Sequence, residues 1–104
     1  MDCIFCKIVN KEIPADIVYE NDDYIAFNDI YPKADTHILI IPKKHIESFH
    51  TTSEKEDKKI IKWLYDVAWE IVENKWLNWC KLLMNSWKEN WQEVFHVHLH
   101  LMSY

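Results

Sequence analysis

The sequence predicts an α+β domain: a five-stranded, largely antiparallel sheet with one short N-terminal helix and one long helix. Short runs of β-branched or alternating apolar residues stand on both sides of a single long amphipathic segment. Strands do not alternate regularly with helices, as a parallel sheet requires. A chain of 104 residues with 49% hydrophobic residues can bury one core but not two. We therefore expect residues 1–104 to form a single domain.

The first half of the chain is expected to contain one helix and three strands. Residues 3–11 carry apolar side chains at helical spacing and precede Pro14, which predicts a short helix. Residues 17–20 and 24–29 flank a polar turn and are expected to pair as a hairpin. Residues 37–41 form a dense β-branched run closed by a proline, and this run is the candidate central strand.

The second half is expected to contain the long helix and two more strands. Ser53 and Glu56 fit a capping box at a helix start. An apolar stripe over residues 60–72 then predicts a helix that ends near residue 74. Residues 81–85 and 94–102, joined by a polar loop, predict the last two strands.

Three histidines alternate with apolar residues in the last predicted strand. Successive side chains of a strand point to opposite faces, so His96, His98 and His100 are expected on one face. Imidazole accepts, donates or attacks near neutral pH, which predicts a nucleophilic, acid–base or metal site. Two alternatives stay open: a merely polar face, and a hydrolase or oxygenase metal held by all three rings.

Two cysteines one helical turn apart point to metal binding. Cys3 and Cys6 supply two soft ligands for a tetrahedral zinc, and His45 and one histidine of the C-terminal row are candidates for the others. With Cys80 the total is three, an odd number that argues against a disulfide framework. Two ordinary cysteines on a helix, or a redox pair, are the alternatives.

Charge and hydropathy exclude several partners. The formal net charge of −5 argues against general nucleic-acid binding, which needs an excess of cations. The start of the chain has no basic region followed by a long apolar run. The longest apolar stretch, residues 38–42, is far shorter than the roughly 20 residues that span a bilayer. We therefore expect a cytoplasmic protein with a small ligand and no membrane partner.

The C-terminal motif resembles the signature of a known family. Residues 96–102 read His-x-His-x-His-x-x with x apolar, which is similar to the signature of the histidine triad proteins. The resemblance covers nearly the whole chain and is strongest to the nucleotide-binding branch, the Hint proteins. The other matching segments occur in the family's order: Asp2–Val9, Glu12–Ala15, Ala26–Ile30, Thr36–His37 and Ile40–Ile46.

The resemblance implies a purine nucleoside phosphoramidate hydrolase or a related nucleotidyl hydrolase. By this resemblance His98 would attack the α-phosphate and form a nucleotidyl-histidine that water then breaks. His100 and His37 would contact phosphate oxygens, and no metal would be needed for the chemistry. The developing charge would be held by backbone amides of Gln92, Glu93 and Val94.

The resemblance also assigns the nucleotide and zinc contacts. Asp29 would hold the ribose hydroxyls, or alternatively only cap a turn, and Asn85 would lie near the phosphate. The base pocket, or alternatively plain core packing, would involve Phe5, Ile8, Phe27, Asn28 and Ile30. His96 would belong to the catalytic row and also complete a structural zinc site with Cys3, Cys6 and His45. Family members form homodimers with joined sheets, and we expect the same here.

The chain departs from the family in its glycines. It contains no glycine and six tryptophans, although average usage predicts about seven glycines. Family members tend to have glycine where this chain has Trp76, Trp79, Trp87 and Trp91. One stop-type codon is read as glycine in some bacterial lineages and as tryptophan under another code. The sequence thus raises the hypothesis that these are glycine codons read as tryptophan; Trp69, which falls off the apolar stripe, fits it too.

These departures leave a second functional interpretation open. Bulky side chains at Trp87 and Trp91 would hinder the close backbone approach that glycine permits beside a phosphate. Glu93 stands where some relatives have a serine thought to assist the leaving group. The alternative is therefore a catalytically weak nucleotide-binding or scaffold module that keeps the structural zinc.

Overall fold

The computed structural model describes residues 3–104. Met1 and Asp2, the latter part of a segment that resembles the family, lie outside the described residues. One antiparallel sheet has the strand order β1-β2-β3-β5-β4, which confirms the predicted α+β class. Its strands are β1 (Ile17–Glu20), β2 (Tyr24–Asn28), β3 (Thr36–Pro42), β4 (Lys81–Leu83) and β5 (Leu99–Ser103). The helices are α1 (Ile4–Val9), α2 (Lys55–Lys62) and α3 (Leu64–Asn74), with a 3₁₀ turn at Lys88–Asn90.

The predicted long helix is divided at Trp63 into α2 and α3. Trp63 keeps right-handed dihedrals, φ −77° and ψ −4°, and the N–H of Asp66 donates to its carbonyl at 3.1 Å. The spacing of three residues marks a local tightening of the helix. The predicted capping box is wrong, because the helix begins after Glu54 and no side chain caps it. Among residues 3–104, no helix is long and apolar enough to cross a membrane.

The two faces of β3 support two separate cores. Ile38 and Ile40 belong to a cluster with α3, whereas Leu39 and Ile41 pack with α1. This alternation follows from the period of two along a strand. His37 lies two residues before Leu39, so both side chains point to the same face of β3. Leu39 lies opposite His100 on β5. The face covered by α1 therefore carries the histidines.

The last strand begins later than predicted, at Leu99 instead of residue 94. The partner strand β3 ends at Pro42, which has no N–H to extend the ladder. The N–H of Val97 instead donates to the carbonyl of Ile46 at 2.7 Å. His96 and His98 thus precede the strand, and only His100 lies within it.

Candidate active site

A cavity of about 480 Å³ opens between α1, the end of β2 and the C-terminal histidines. Its volume is in the range of pockets that hold small ligands. Most of the predicted site residues lie on its wall: Phe5, Ile8, Phe27, Asn28, Asp29, Ile30, Asn85, Glu93, Val94, His98 and His100.

Three predicted catalytic or nucleotide-contacting residues do not line the cavity: Gln92, His37 and His96. His96 belongs to a second cluster that is described below. The Gln92 side chain is 3% exposed, donates to the carbonyl of Glu47 at 2.8 Å and accepts from the N–H of Trp87 at 2.7 Å. It therefore holds the loop before the histidines in place. His37 is buried and contacts the cavity wall from behind, through His100 and Asp29.

The ring of His98 is fixed in one tautomer. Its Nδ1–H donates to the carbonyl of His96 at 2.8 Å, because a carbonyl oxygen can only accept. The other ring nitrogen, Nε2, consequently keeps its lone pair. The edge-on ring of Phe5 lies 5.1 Å away, centroid to centroid, and burial lowers the pKa of His98. The imidazole is therefore neutral at pH 7, the form that acts as a nucleophile.

His37 sets the opposite tautomer in His100. The backbone N–H of Lys33 donates to His37 Nδ1 at 3.1 Å, so His37 carries its proton on Nε2. That Nε2–H donates to His100 Nδ1 at 2.9 Å, which leaves the proton of His100 on Nε2. Burial lowers the pKa of His37, and burial with the adjacent His98 and His37 lowers that of His100 to about 4. His100 thus presents an N–H donor beside the acceptor of His98.

Asp29 caps a turn and also lies on the cavity wall. Its Oδ1 accepts the N–H of Tyr31 at 2.9 Å and caps the turn after β2. Its Oδ2 lies 3.5 Å from His37 Nε2, and the residue lines the cavity. A turn cap therefore holds the carboxylate at the wall.

A second cluster of side chains could hold a metal ion. Ligand atoms of Cys3, Cys6, His45 and His96 all lie within 4.8 Å of one another. Cys6 Sγ is 3.3 Å from His45 Nδ1 and 3.6 Å from His96 Nδ1. Ligands about 2.0–2.3 Å from a tetrahedral zinc would be roughly 3.3–3.8 Å apart. The residues therefore fit such an ion.

The ring of His96 is oriented toward this cluster. Its Nε2–H donates to the carbonyl of Pro42 at 2.7 Å, which leaves the Nδ1 lone pair facing the thiols. Burial and the adjacent Cys3 raise the pKa of Cys6 to about 11, so metal binding would have to release a proton. A metal site shared by His96, His98 and His100 is absent from the groups found in residues 3–104. Asp29, His37 and His100 are the other group of possible metal ligands that lie close together. In this group the two histidines are hydrogen-bonded to each other.

Sequence reasoning missed several residues on the cavity wall. Tyr31 and Lys33 come from the loop between β2 and β3. Trp91, which the sequence already indicated as a bulky neighbour of the site, comes from the loop before the histidines and also lies on the wall. Side chains in a loop do not follow the regular spacing of a helix or strand, so the sequence does not predict which of them face a ligand. The remaining ones are apolar residues of the N-terminal segment and β3: Ile4, Ile13, Pro14, Ala15 and Leu39.

Comparison with known proteins identifies the family. Residues 10–104 match the HIT domain. The chain belongs to the HIT domain family. It is 42% identical over 102 residues to Protein HitA of Neisseria gonorrhoeae, covering 97% of this chain and 94% of that protein. It is 40% identical over 103 residues to the purine nucleoside phosphoramidase of Escherichia coli K12, covering 97% and 86%.

Solved HIT structures have the same fold. A HIT family hydrolase from Legionella pneumophila superposes with a TM-score of 0.92 at 38% identity, covering 98% of this chain and 92% of that one. A histidine triad protein from Clostridium difficile gives 0.92 at 39% identity, covering 98% and 90%. The histidine triad resemblance in the sequence is confirmed.

Proposed function

We propose that this HIT domain hydrolyses purine nucleoside phosphoramidates through a covalent nucleotidyl-histidine at His98. The observation that carries the proposal is the fixed tautomer of His98, whose Nδ1–H is held by the His96 carbonyl at 2.8 Å. Its Nε2 lone pair is then available at a cavity wall. Neutral imidazole is both a competent nucleophile at phosphorus and a good leaving group. The E. coli relative named purine nucleoside phosphoramidase supports the substrate class.

The reaction proceeds in two displacements. In the first, His98 Nε2 forms a bond to the α-phosphorus, the phosphorus–nitrogen bond of the substrate breaks, and the amine leaves with a proton from solvent. In the second, a water oxygen bonds to phosphorus, the bond to Nε2 breaks, and the second water proton returns to solvent. One phosphoramidate and one water give one nucleoside monophosphate and one amine.

The neighbouring residues orient the substrate. The Nε2–H of His100 donates to a phosphate oxygen, and His37 keeps that proton in place through its 2.9 Å bond to His100. Asp29 binds the ribose hydroxyls with the carboxylate oxygen that the turn does not use. The purine lies among the apolar residues of α1 and β2, of which Phe5 and Phe27 are in edge-to-face contact.

Zinc is the metal we propose for the second cluster. Two thiolates and two imidazoles are a preferred donor set for structural zinc. Cys3, Cys6, His45 and His96 would hold it, tying α1 to the residue two positions before His98. When bound, the ion supplies structural cross-linking, and the two displacements use only protein side chains. We propose a reducing compartment such as the cytosol, where these thiols stay reduced and available as ligands.

We also propose a homodimer formed at the outer edge of β4. This strand is last in the sheet order, and Leu82 and Leu83 are partly exposed on it. An unpaired strand edge is a template for pairing with another chain. Light scattering coupled to gel filtration tests this: twice the chain mass is expected, and a monomer contradicts it.

A nucleotide-binding module without turnover is the second candidate. One observation favours it: Trp91 is 80% exposed and stands on the cavity wall, where the family tends to have the much smaller glycine. Such a module would bind adenosine monophosphate with normal affinity yet leave a phosphoramidate intact.

Hydrolysis by the H98N variant tests the proposal. We expect kcat/KM for adenosine 5′-phosphoramidate to fall by about 10⁴-fold or more, with affinity for adenosine monophosphate changed only a few-fold. The matched control is H50N, at an exposed histidine off the cavity wall, which should keep its activity. An H98N variant with near-normal turnover would refute the nucleophile. Nucleotide binding without any turnover by the unaltered protein would favour the binding module.

A further inference from the structure

Three tryptophans have backbone conformations that are normally adopted by glycine. The φ angle is 56° at Trp76, 79° at Trp87 and 72° at Trp91. Positive φ is uncommon for residues with a Cβ, and a bulky residue there is an outlier. Among residues 3–104 four residues have positive φ, and three of these are tryptophan in a chain without glycine.

Trp76 lies at the position of a helix-ending motif where glycine is usual. After α3 its N–H donates to the carbonyl of Glu73 at 3.2 Å, and the N–H of Leu77 donates to that of Val72 at 3.1 Å. These two bonds define the Schellman motif, whose left-handed residue is most often glycine. Val72 and Leu77 pack against the same core, and a hydrophobic contact between these two positions frequently accompanies the motif. The indole of Trp76 is 88% exposed.

Trp87 has the most demanding conformation of the three. With φ 79° and ψ 162° it occupies a region populated almost only by glycine. The bonds that hold this turn use backbone atoms of residue 87: its N–H donates to Gln92 Oε1 at 2.7 Å, and its carbonyl accepts the N–H of Gln92 at 3.1 Å. A glycine would make both bonds. Trp91, at φ 72° and ψ 22°, ends the same turn in the left-handed region.

A left-handed residue with a side chain is tolerated where that side chain has a role. Lys11, which follows the C-cap Asn10 of α1, has φ 62° and forms a 2.7 Å ion pair with Glu20. Trp76 and Trp91 are largely exposed, although tryptophan is highly buried on average. Among the described residues, neither indole forms a hydrogen bond. Their side chains therefore give no reason for the backbone conformation.

We propose that the natural protein carries glycine at positions 76, 87 and 91, encoded by UGA codons that its own ribosomes read as glycine. This inference is independent of the proposed function. Its consequence for the site is that the loop before the histidines is more compact, and the indole that now stands on the cavity wall at position 91 is absent.

Peptide mass spectrometry of the protein from its source organism, with the gene sequence, tests the proposal. We expect glycine in the peptides that span the three positions, and UGA in the gene. Tryptophan in those peptides, or UGG codons, would overturn it.

A recombinant comparison provides a second test. W76G and W91G should raise the melting temperature by about 5 °C each, because the left-handed penalty is removed. The control is W69G. Trp69 was also suspected from the sequence, but it lies within α3 and is not among the residues with positive φ. Glycine there should lower the melting temperature, since glycine weakens a helix interior. A fall for all three variants would contradict the inference.

Discussion

His37 Nε2 donates to His100 Nδ1 at 2.9 Å, and this one bond decides which nitrogen of His100 faces the cavity. The backbone N–H of Lys33 donates to the other ring nitrogen of His37, Nδ1. His37 therefore carries its proton on Nε2 and is the donor in the bond to His100. A chain of three groups thus fixes one N–H donor on His100, whose ring lies 5.0 Å from that of His98, centroid to centroid.

The first prediction concerns His37 as a positioning residue. H37F removes the donor to His100 and frees its tautomer, so we expect kcat to fall about 100-fold with KM nearly unchanged. Steady-state kinetics and a thermal melt would be recorded together, and H50F at an exposed histidine is the matched control. A rise in KM with normal kcat would contradict the positioning role.

The second prediction concerns pH. In the folded protein the pKa of His100 is lowered to about 4 from 6.5, mainly by burial, and that of His37 is also lowered; Asp29 opposes both shifts. Between pH 6.5 and about 4, His100 is protonated in the unfolded chain but neutral in the folded protein. The unfolded chain therefore binds more protons than the folded protein, and the free energy of unfolding falls as the pH drops below about 6.5. Urea unfolding at about pH 7.5 and about pH 5 should show this loss. H100Q should have a shallower dependence, and an unchanged slope would refute the assignment.

The third prediction concerns the metal. C6S should lose bound zinc, measured by elemental analysis, and melt at least about 5 °C lower than the unaltered protein. C80S changes a cysteine that is exposed and outside the cluster, so it should keep both. Zinc retained by C6S, or lost equally from C80S, would argue against these ligands.

The fourth prediction tests whether Asp29 binds the ribose hydroxyls in addition to capping its turn. D29N should bind adenosine monophosphate about 10- to 100-fold more weakly, because a hydrogen bond from a hydroxyl to a charged group is lost. Its affinity for the 2′,3′-dideoxy analogue should change much less. Titration calorimetry measures both, and an equal loss for the two ligands would show that Asp29 only caps the turn.

Much of the fold followed from local patterns in the sequence. The strands follow β-branched and alternating residues, and the α3 stripe correctly placed Leu64, Val67 and Ile71 in the core. The break at Trp63 and the late start of β5 were not predictable in this way. The second depends on where Pro42 ends the partner strand and on the carbonyl of Ile46, both of which are distant in the chain.

The site was less predictable than the fold. Spacing suggested Cys3 and Cys6 as metal ligands, and His45 with one histidine of the C-terminal row as candidates for the others. Which histidine completes the cluster was not predictable from spacing, because His45 and His96 lie 39 and 90 residues from Cys6. The bond of His37 to His100 spans 63 residues, and no local pattern carries such a contact. Family resemblance supplied the residues, whereas the tautomers required the backbone groups around them.

The central claim is that His98 becomes covalently nucleotidylated. The most direct measurement is acid quenching of the protein during turnover of adenosine 5′-phosphoramidate, followed by intact and peptide mass spectrometry, with H98N in parallel. We expect one adenylyl group per chain on the peptide that contains His98, and none in H98N. Turnover without an adduct, or an adduct on another residue, would contradict the claim.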